Sequence, residues 1–239
     1  MAIRLSNITD GILNLCLRNV QRWLPQWCLL CGAPSAPAQI CSECQADLPW
    51  LPRERCAACA LPLATGTVCG ACLTRPPRFD RVAAVLAYRF PVDALIHAFK
   101  YGGRLALARP LGEMLARAVE HDVDAIIPMP LARGRLAERG FNQALEVARV
   151  VARRTGIPLL PSACRKVLET PPQAALPWDE RAKNVRRAFV CDVDFNGRRV
   201  AVVDDVLTTG ATLNELARVL RKAGATEVVG WVVARTLPR

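Results

Sequence analysis

The chain has 239 residues, 52% of them hydrophobic, and a formal net charge of +11. That length suits one full domain plus a small one, and the apolar share is ample for a core. No run of 18 or more apolar residues suggests a membrane span, and the N-terminus lacks the uninterrupted apolar stretch of a secretory signal, so a cytoplasmic protein is expected.

Residues 8 to 24 place Ile8, Ile12, Leu15, Cys16, Val20, Trp23 and Leu24 at spacings of three and four. The pattern predicts an amphipathic helix within an N-terminal segment, 1–25. Packing on a core is the expected role of its apolar face; attachment to a membrane surface is the alternative.

Eight cysteines follow in four C-x2-C pairs: Cys28 and Cys31, Cys41 and Cys44, Cys56 and Cys59, Cys69 and Cys72. Nine residues separate the first two pairs, and nine separate the last two, so the arrangement is an internal repeat. A C-x2-C knuckle points two thiolates at one ion, and two knuckles complete a tetrahedral sulfur shell. Two structural Zn²⁺ sites built from consecutive pairs are expected over residues 26–78. Disulfides are the alternative, disfavoured by the expected compartment. Each Zn²⁺ with four thiolates carries −2, so two sites would lower the formal +11 to +7. The metal would also stabilise a segment too short to hold a core of its own.

Arg75 to Arg78, with Pro76 and Pro77, reads as a linker to a domain over 79–239. Val82 to Phe90 is predicted as a strand, with a helix through Ala94 to Phe99. Phe99-Lys100-Tyr101-Gly102-Gly103-Arg104 ends that helix, and another runs from Leu105 to Glu120. His97 is given no catalytic role. Asp124 to Ile127 is a short buried strand ending in Pro128-Met129-Pro130-Leu131. An arginine-rich loop comes next, with Arg133, Arg135 and Arg139, before Gly140-Phe141-Asn142-Gln143 opens a helix to Arg154. Residues 131 to 187 hold 12 Lys/Arg against 5 Asp/Glu, a net of +7. Such a stretch can serve nucleic acid or a small polyanion, or be a solvated surface. Residues 165 to 187 have no clean period and are long for a connection, which suggests a functional loop. Cys164 and Cys191 read as buried thiols without metal partners.

Arg198 to Leu213 carries the most chemistry. Val200 to Val203 is a buried parallel strand that delivers Asp204 and Asp205 at its end. The loop Thr208-Thr209-Gly210-Ala211-Thr212 leads into a helix from Leu213 to Ala223, and Glu227 to Val233 is a final strand closing the sheet. Paired carboxylates can accept bonds from ribose hydroxyls directly or through Mg²⁺. Loop amides and threonine hydroxyls can wrap a phosphate at the positive end of the helix. An ordinary strand–turn–helix is the plainer reading of the same string. Ligands of open α/β sheets sit beyond the strand C-termini, so this loop and the Pro130–Arg139 loop should face one crevice.

The string resembles the 5-phosphoribosyl-1-pyrophosphate (PRPP) loop of type I phosphoribosyltransferases. Taken with the four knuckles, Phe99-Lys100-Tyr101-Gly102, Arg139-Gly140-Phe141-Asn142-Gln143, and Thr170 to Arg181 with Asn184, it is similar to the ComF family. The resemblance implies an open parallel sheet of phosphoribosyltransferase type, with helices on both faces, behind a double zinc ribbon. It implies that Asp204 and Asp205 hold the ribose diol, and serve as the catalytic pair if there is turnover, while Thr208 to Thr212 hold the 5-phosphate. Pro130 and the arginines would approach the pyrophosphate, and residues 165 to 185 resemble the mobile loop of related enzymes. A role in uptake of single-stranded DNA beside a helicase partner is implied, with Tyr101, Phe141 and Trp178 as stacking candidates. An active phosphoribosyltransferase acting on a base or amine, with pyrophosphate released, is the alternative function.

Overall fold

The computed structural model describes residues 27–35, 39–168 and 187–238; the expected helix over 8–24, and Thr170, Trp178, Arg181 and Asn184, lie outside them. The chain divides into two compact units, Met1–Leu48 and Pro49–Arg239. The second four-cysteine segment, Cys56 to Cys72, falls in the second unit with the sheet. The reason is edge pairing. Trp50 bridges Leu86 in antiparallel fashion. Leu51 N–H donates to the Val85 carbonyl at 3.0 Å, Ala87 N–H donates to Pro49 at 2.7 Å, and Arg55 Nη1 reaches the Ala84 carbonyl at 2.8 Å. A sheet edge left open is a liability, and this segment covers it.

Strands β1 (Arg81–Ala87), β2 (Ala125–Pro128), β5 (Arg199–Leu207) and β6 (Glu227–Arg235) form one parallel sheet in the order β1-β6-β5-β2, while β3 (Cys164–Lys166) and β4 (Phe189–Cys191) pair antiparallel beside it. The final strand is thus inserted between β1 and β5 rather than added at an edge. It is buried on both faces, which suits its run of Val, Gly, Trp and Ala. Helices α1 (Ser42–Ala46), α2 (Gly70–Thr74), α3 (Val92–Tyr101), α4 (Ala108–Ala118), α5 (Arg133–Arg139), α6 (Gln143–Thr155) and α7 (Ala211–Lys222), with a 3₁₀ turn at Leu105–Leu107, are the helical elements among the described residues. Gly102 ends α3, because a Cβ there would meet the Ala98 carbonyl oxygen at 2.7 Å.

Alternate strand residues point to opposite faces. Val200, Val202, Ala125, Ile127, Val228 and Val232 pack in one core with Leu213, Leu216 and Leu220 of α7. The intervening Ala201, Val203, Ile126, Val229 and Trp231 are equally buried and face α4 and α6, which contact these strands. Helices therefore cover both faces, as expected for a phosphoribosyltransferase-type sheet.

The arginine-rich loop after β2 is in fact the helix α5, closed by Gly140 in the left-handed region at φ 77°. Three arginines within seven residues keep good helix propensity, and a glycine supplies the stop. Cys164 is buried, as expected, whereas Cys191 is only half-buried; the two stand opposite each other across the β3–β4 ladder, and the Cys191 thiol acts on Cys164. The flanking bonds, Asp192 N–H to Ala163 at 3.1 Å and Val167 N–H to Ala188 at 2.8 Å, make this a non-hydrogen-bonded pair, where side chains come closest.

Candidate functional site and metal centres

The two cysteine repeats close locally. In each set, Cys28, Cys31, Cys41 and Cys44, then Cys56, Cys59, Cys69 and Cys72, all four sulfurs lie within 4.8 Å of one another. Cys31 and Cys41 sulfurs are 3.7 Å apart, as are those of Cys59 and Cys69. A tetrahedral shell with Zn–S near 2.3 Å has edges of about 3.8 Å, so the residues present fit zinc. Backbone amides favour the thiolate form of the first cysteine in each set. Burial pushes the Cys28 thiol up, but N–H groups of Cys31, Cys41 and Leu30 outweigh it and bring the pKa to about 6. In the second set, Cys56 falls to about 7 through the N–H groups of Cys69, Cys59 and Ala58 acting against burial.

The carboxylate pair sits within β5, in register with the middle of the neighbouring strand: Asp204 pairs with Val232, and the ladder continues to Leu207 opposite Arg235. Asp205 is 6% exposed and Asp204 half-buried. Their surroundings differ. Lys100 Nζ, at the end of α3, lies 2.8 Å from Asp205 Oδ2. Burial works against the Lys100 charge, but Asp205 and Asp204 more than compensate and raise its pKa. Asp204 Oδ1 accepts the backbone N–H of Asp205 at 2.9 Å. Burial, then the Asp205 charge, push it up to about 7, against the smaller pull of Lys100.

Beyond the carboxylates, Thr208 and Thr209 are half-buried and Thr209 Oγ1 accepts from Ala211 N–H at 3.2 Å, an ST turn at the head of α7. Gly210 has φ 81°, a conformation only glycine adopts without strain. A Cβ there would lie 3.6 Å from the Phe79 ring, an ordinary contact. Ala211 and Thr212, both half-buried, open the helix.

Met129 N–H donates to the Val203 carbonyl at 2.8 Å, which sets the Pro130 segment alongside the carboxylate strand. Asn142 Nδ2 donates to the Met129 carbonyl at 3.0 Å while its Oδ1 caps α6 on Ala144 and Leu145 N–H. The Arg-Gly-Phe-Asn-Gln string is therefore a brace for the β2 exit. The three arginines do not act together. Arg139 Nη2 donates to Tyr101 Oη at 3.1 Å, with its guanidinium 4.8 Å over that ring. Arg135 is half-buried, whereas Arg133 is exposed at the start of α5.

Lys166 is a site neighbour that the sequence reading did not single out. Its pKa is lowered by burial and then by the Arg135 charge, with Asp204 pulling the other way. Those three groups therefore share one neighbourhood at the strand ends. Lys100 was visible only as part of a helix-ending string; no local pattern pairs it with Asp205. Tyr88, just past β1, belongs to the same cluster: burial raises its pKa, the Lys100 charge works against that rise, and Asp205 adds to it.

Comparison with known proteins gives this arrangement a family. Residues 20–73 match the double zinc ribbon domain, and residues 192–236 match the phosphoribosyl transferase domain. Competence protein F of Haemophilus influenzae is 37% identical over 70% of this chain and 77% of its own. The DNA utilization protein YhgH of Shigella flexneri is 33% identical over 90% of this chain and 99% of its own. The chain belongs to the ComF family. Among solved structures, a glutamine PRPP amidotransferase from B. subtilis aligns with 27% identity and a TM-score of 0.39, over 56% of this ComF chain and 30% of that enzyme. No described helix of the ComF protein is long and apolar enough to cross a membrane.

Proposed function

We propose that this ComF protein binds Mg²⁺-PRPP at the β5–α7 turn and serves DNA uptake, holding single-stranded DNA through its basic surface beside a helicase partner. The observation that carries the PRPP part is the unequal carboxylate pair. Lys100 pairs directly with Asp205, whereas Asp204 is held in no ion pair among the described residues and its ionised form is costly. A Mg²⁺-bound ribose diol supplies the missing positive charge and donors. The positive end of α7 then faces the 5-phosphate. Tyr101 and Phe141 remain the stacking candidates: Tyr101 is exposed and Phe141 half-buried against Phe99, with ring centroids 5.7 Å apart. The names of the two relatives support the DNA part. Calorimetry with Mg²⁺ and PRPP tests the reading; no heat with the wild type leaves the loop as scaffold.

Transfer of the phosphoribosyl group is the second reading, favoured by Lys166 and Arg135 beside Asp204. Two cations there suit a departing pyrophosphate, whose C–O bond breaks as a base or amine attacks the anomeric carbon. Pyrophosphate release with a panel of acceptors separates the two: release with any acceptor selects the transferase, and binding without release selects the accessory role.

A further inference from the structure

Arg235 ends β6 and is 4% exposed. Its guanidinium donates to carbonyls from three separate stretches. Nε reaches Cys59 at 2.9 Å, while Nη1 reaches Leu207 at 2.9 Å, Thr236 at 2.9 Å, and Thr208. Cys59 belongs to the second metal shell, and Leu207 and Thr208 begin the loop proposed to hold the 5-phosphate. Burial lowers the pKa of Arg235, and the thiols of Cys59, Cys69 and Cys72 act to keep its charge. A buried guanidinium needs both hydrogen-bond acceptors and opposing charge. Here the carbonyls supply the first, and a zinc shell of net −2 supplies the second.

The cysteine turn is itself tightly bonded. Cys56 N–H donates to Leu61 at 2.7 Å and Ala60 N–H to Cys56 at 2.9 Å, so an ion that fixes the Cys59 sulfur also fixes its carbonyl. The chain leaving that shell touches the far side of the same loop. Arg78 N–H donates to Asn214 Oδ1 at 2.6 Å, and the Phe79 ring lies over Gly210.

We propose that zinc in the Cys56/Cys59/Cys69/Cys72 shell sets the shape of residues 207–212, with Arg235 as the positioning residue that joins the two. The phosphate-binding consequence rests on the PRPP reading above; the mechanical coupling does not. Loss of this ion, with the thiolates it leaves taking up protons, frees the Cys59 carbonyl and removes the charge that holds Arg235. The carbonyls of Leu207 and Thr208 then lose their fixed donor, and the turn that opens α7 loosens.

Hydrogen–deuterium exchange of the full-length protein, with zinc counted by elemental analysis, tests the coupling. Arg235→Met is expected to keep both zinc ions while the amides of 208–212 exchange faster, by roughly tenfold or more, the effect of losing one hydrogen bond from a charged group. Cys72→Ser is expected to hold one zinc fewer and to show the same local acceleration. In both, the amides of β2, at the far edge of the sheet, should keep wild-type exchange. Arg235→Lys, which retains the charge without the planar fork, covers the case in which the methionine variant does not fold; it should accelerate the loop with both ions bound. Wild-type loop exchange in a folded Arg235 variant, or in Cys72→Ser with its ion gone, overturns the proposal, as does equal acceleration in β2. PRPP calorimetry on the same samples keeps the two ideas apart. Silence in the wild type removes PRPP and leaves the exchange data to decide the coupling. A wild-type response that weakens in Arg235→Met supports both.

Discussion

Lys100 Nζ stands 2.8 Å from Asp205 Oδ2, across 105 positions of sequence. Two adjacent carboxylates at a strand end repel each other unless a cation intervenes, and a ligand was the expected source of that cation. The protein supplies one itself. The pair is consequently divided: Asp205 is compensated, and Asp204 waits for a partner.

Substitution should therefore separate the two aspartates, although both amides match carboxylate shape. Asp205→Asn leaves Lys100 without its counter-charge and should cost about 3 kcal/mol of stability, the low end for a broken buried pair. Asp204→Asn removes an unfavourable charge and should be neutral or stabilising at pH 8. Each should weaken Mg²⁺-PRPP binding by at least roughly tenfold, since each removes a bond of about 1.5–3 kcal/mol. Denaturant titration and calorimetry on both variants check this, and equal stabilities would refute the division.

The pH dependence follows from Asp204. Its folded pKa, about 7, lies above the ordinary 3.8, so the native state binds more protons than the unfolded one between those values. Stability from this group is present below pH 4, falls as pH rises to 7, and is level above. Ligand affinity runs the opposite way, rising through pH 7, because Mg²⁺ and the diol need the carboxylate. Calorimetry in buffers of different ionisation enthalpy should detect proton release near pH 7. Proton uptake there would contradict the assignment.

Replacing Gly210 by alanine tests a different cause. The loop's φ of 81° strains any L-residue, whereas the space beside Phe79 admits a methyl. A cost of about 1 kcal/mol is expected from the backbone alone, with weaker PRPP binding following from the altered turn rather than from crowding of the phosphate. Unchanged stability would discount the conformational argument.

For the metals, elemental analysis should find two zinc ions per chain. Cys41→Ser should leave one and unfold the first unit, while the near-ultraviolet signal of Trp231, buried in the sheet, is retained. One ion in the wild type, or loss of the tryptophan signal in the variant, would be inconsistent with two separate shells.

Single-stranded DNA binding should depend steeply on salt and little on sequence. Arg133→Ala with Arg135→Ala should flatten the logarithmic salt slope by about 1.4, two phosphate contacts on a single strand. Because Arg135 lies by Lys166 and Asp204, its single substitution should also weaken PRPP, while Arg133→Ala should touch DNA alone. An unaltered slope in the double variant would place DNA on another face.

What the sequence determined by itself is local. Two C-x2-C knuckles nine residues apart close a metal shell within 17 residues of chain, so both cysteine sets were legible. A strand feeding two acids and a glycine turn into a helix is likewise short-range geometry, though β5 runs on through Asp204 and Asp205 to Leu207 and α7 opens at Ala211 rather than Leu213. The arginine cluster misled because helix and loop share the same charges, and only the Gly140 stop distinguishes them. Tertiary structure alone decided the partnerships: β6 entering between β1 and β5, Lys100 meeting Asp205, Cys164 facing Cys191, Lys166 joining Asp204, and Arg235 spanning Cys59 and Leu207. Hydrophobic periodicity reports which face of an element is buried, but not which distant element covers it. That choice is made by packing and strand order. The compensation of a buried charge is settled only when the chain has closed around it.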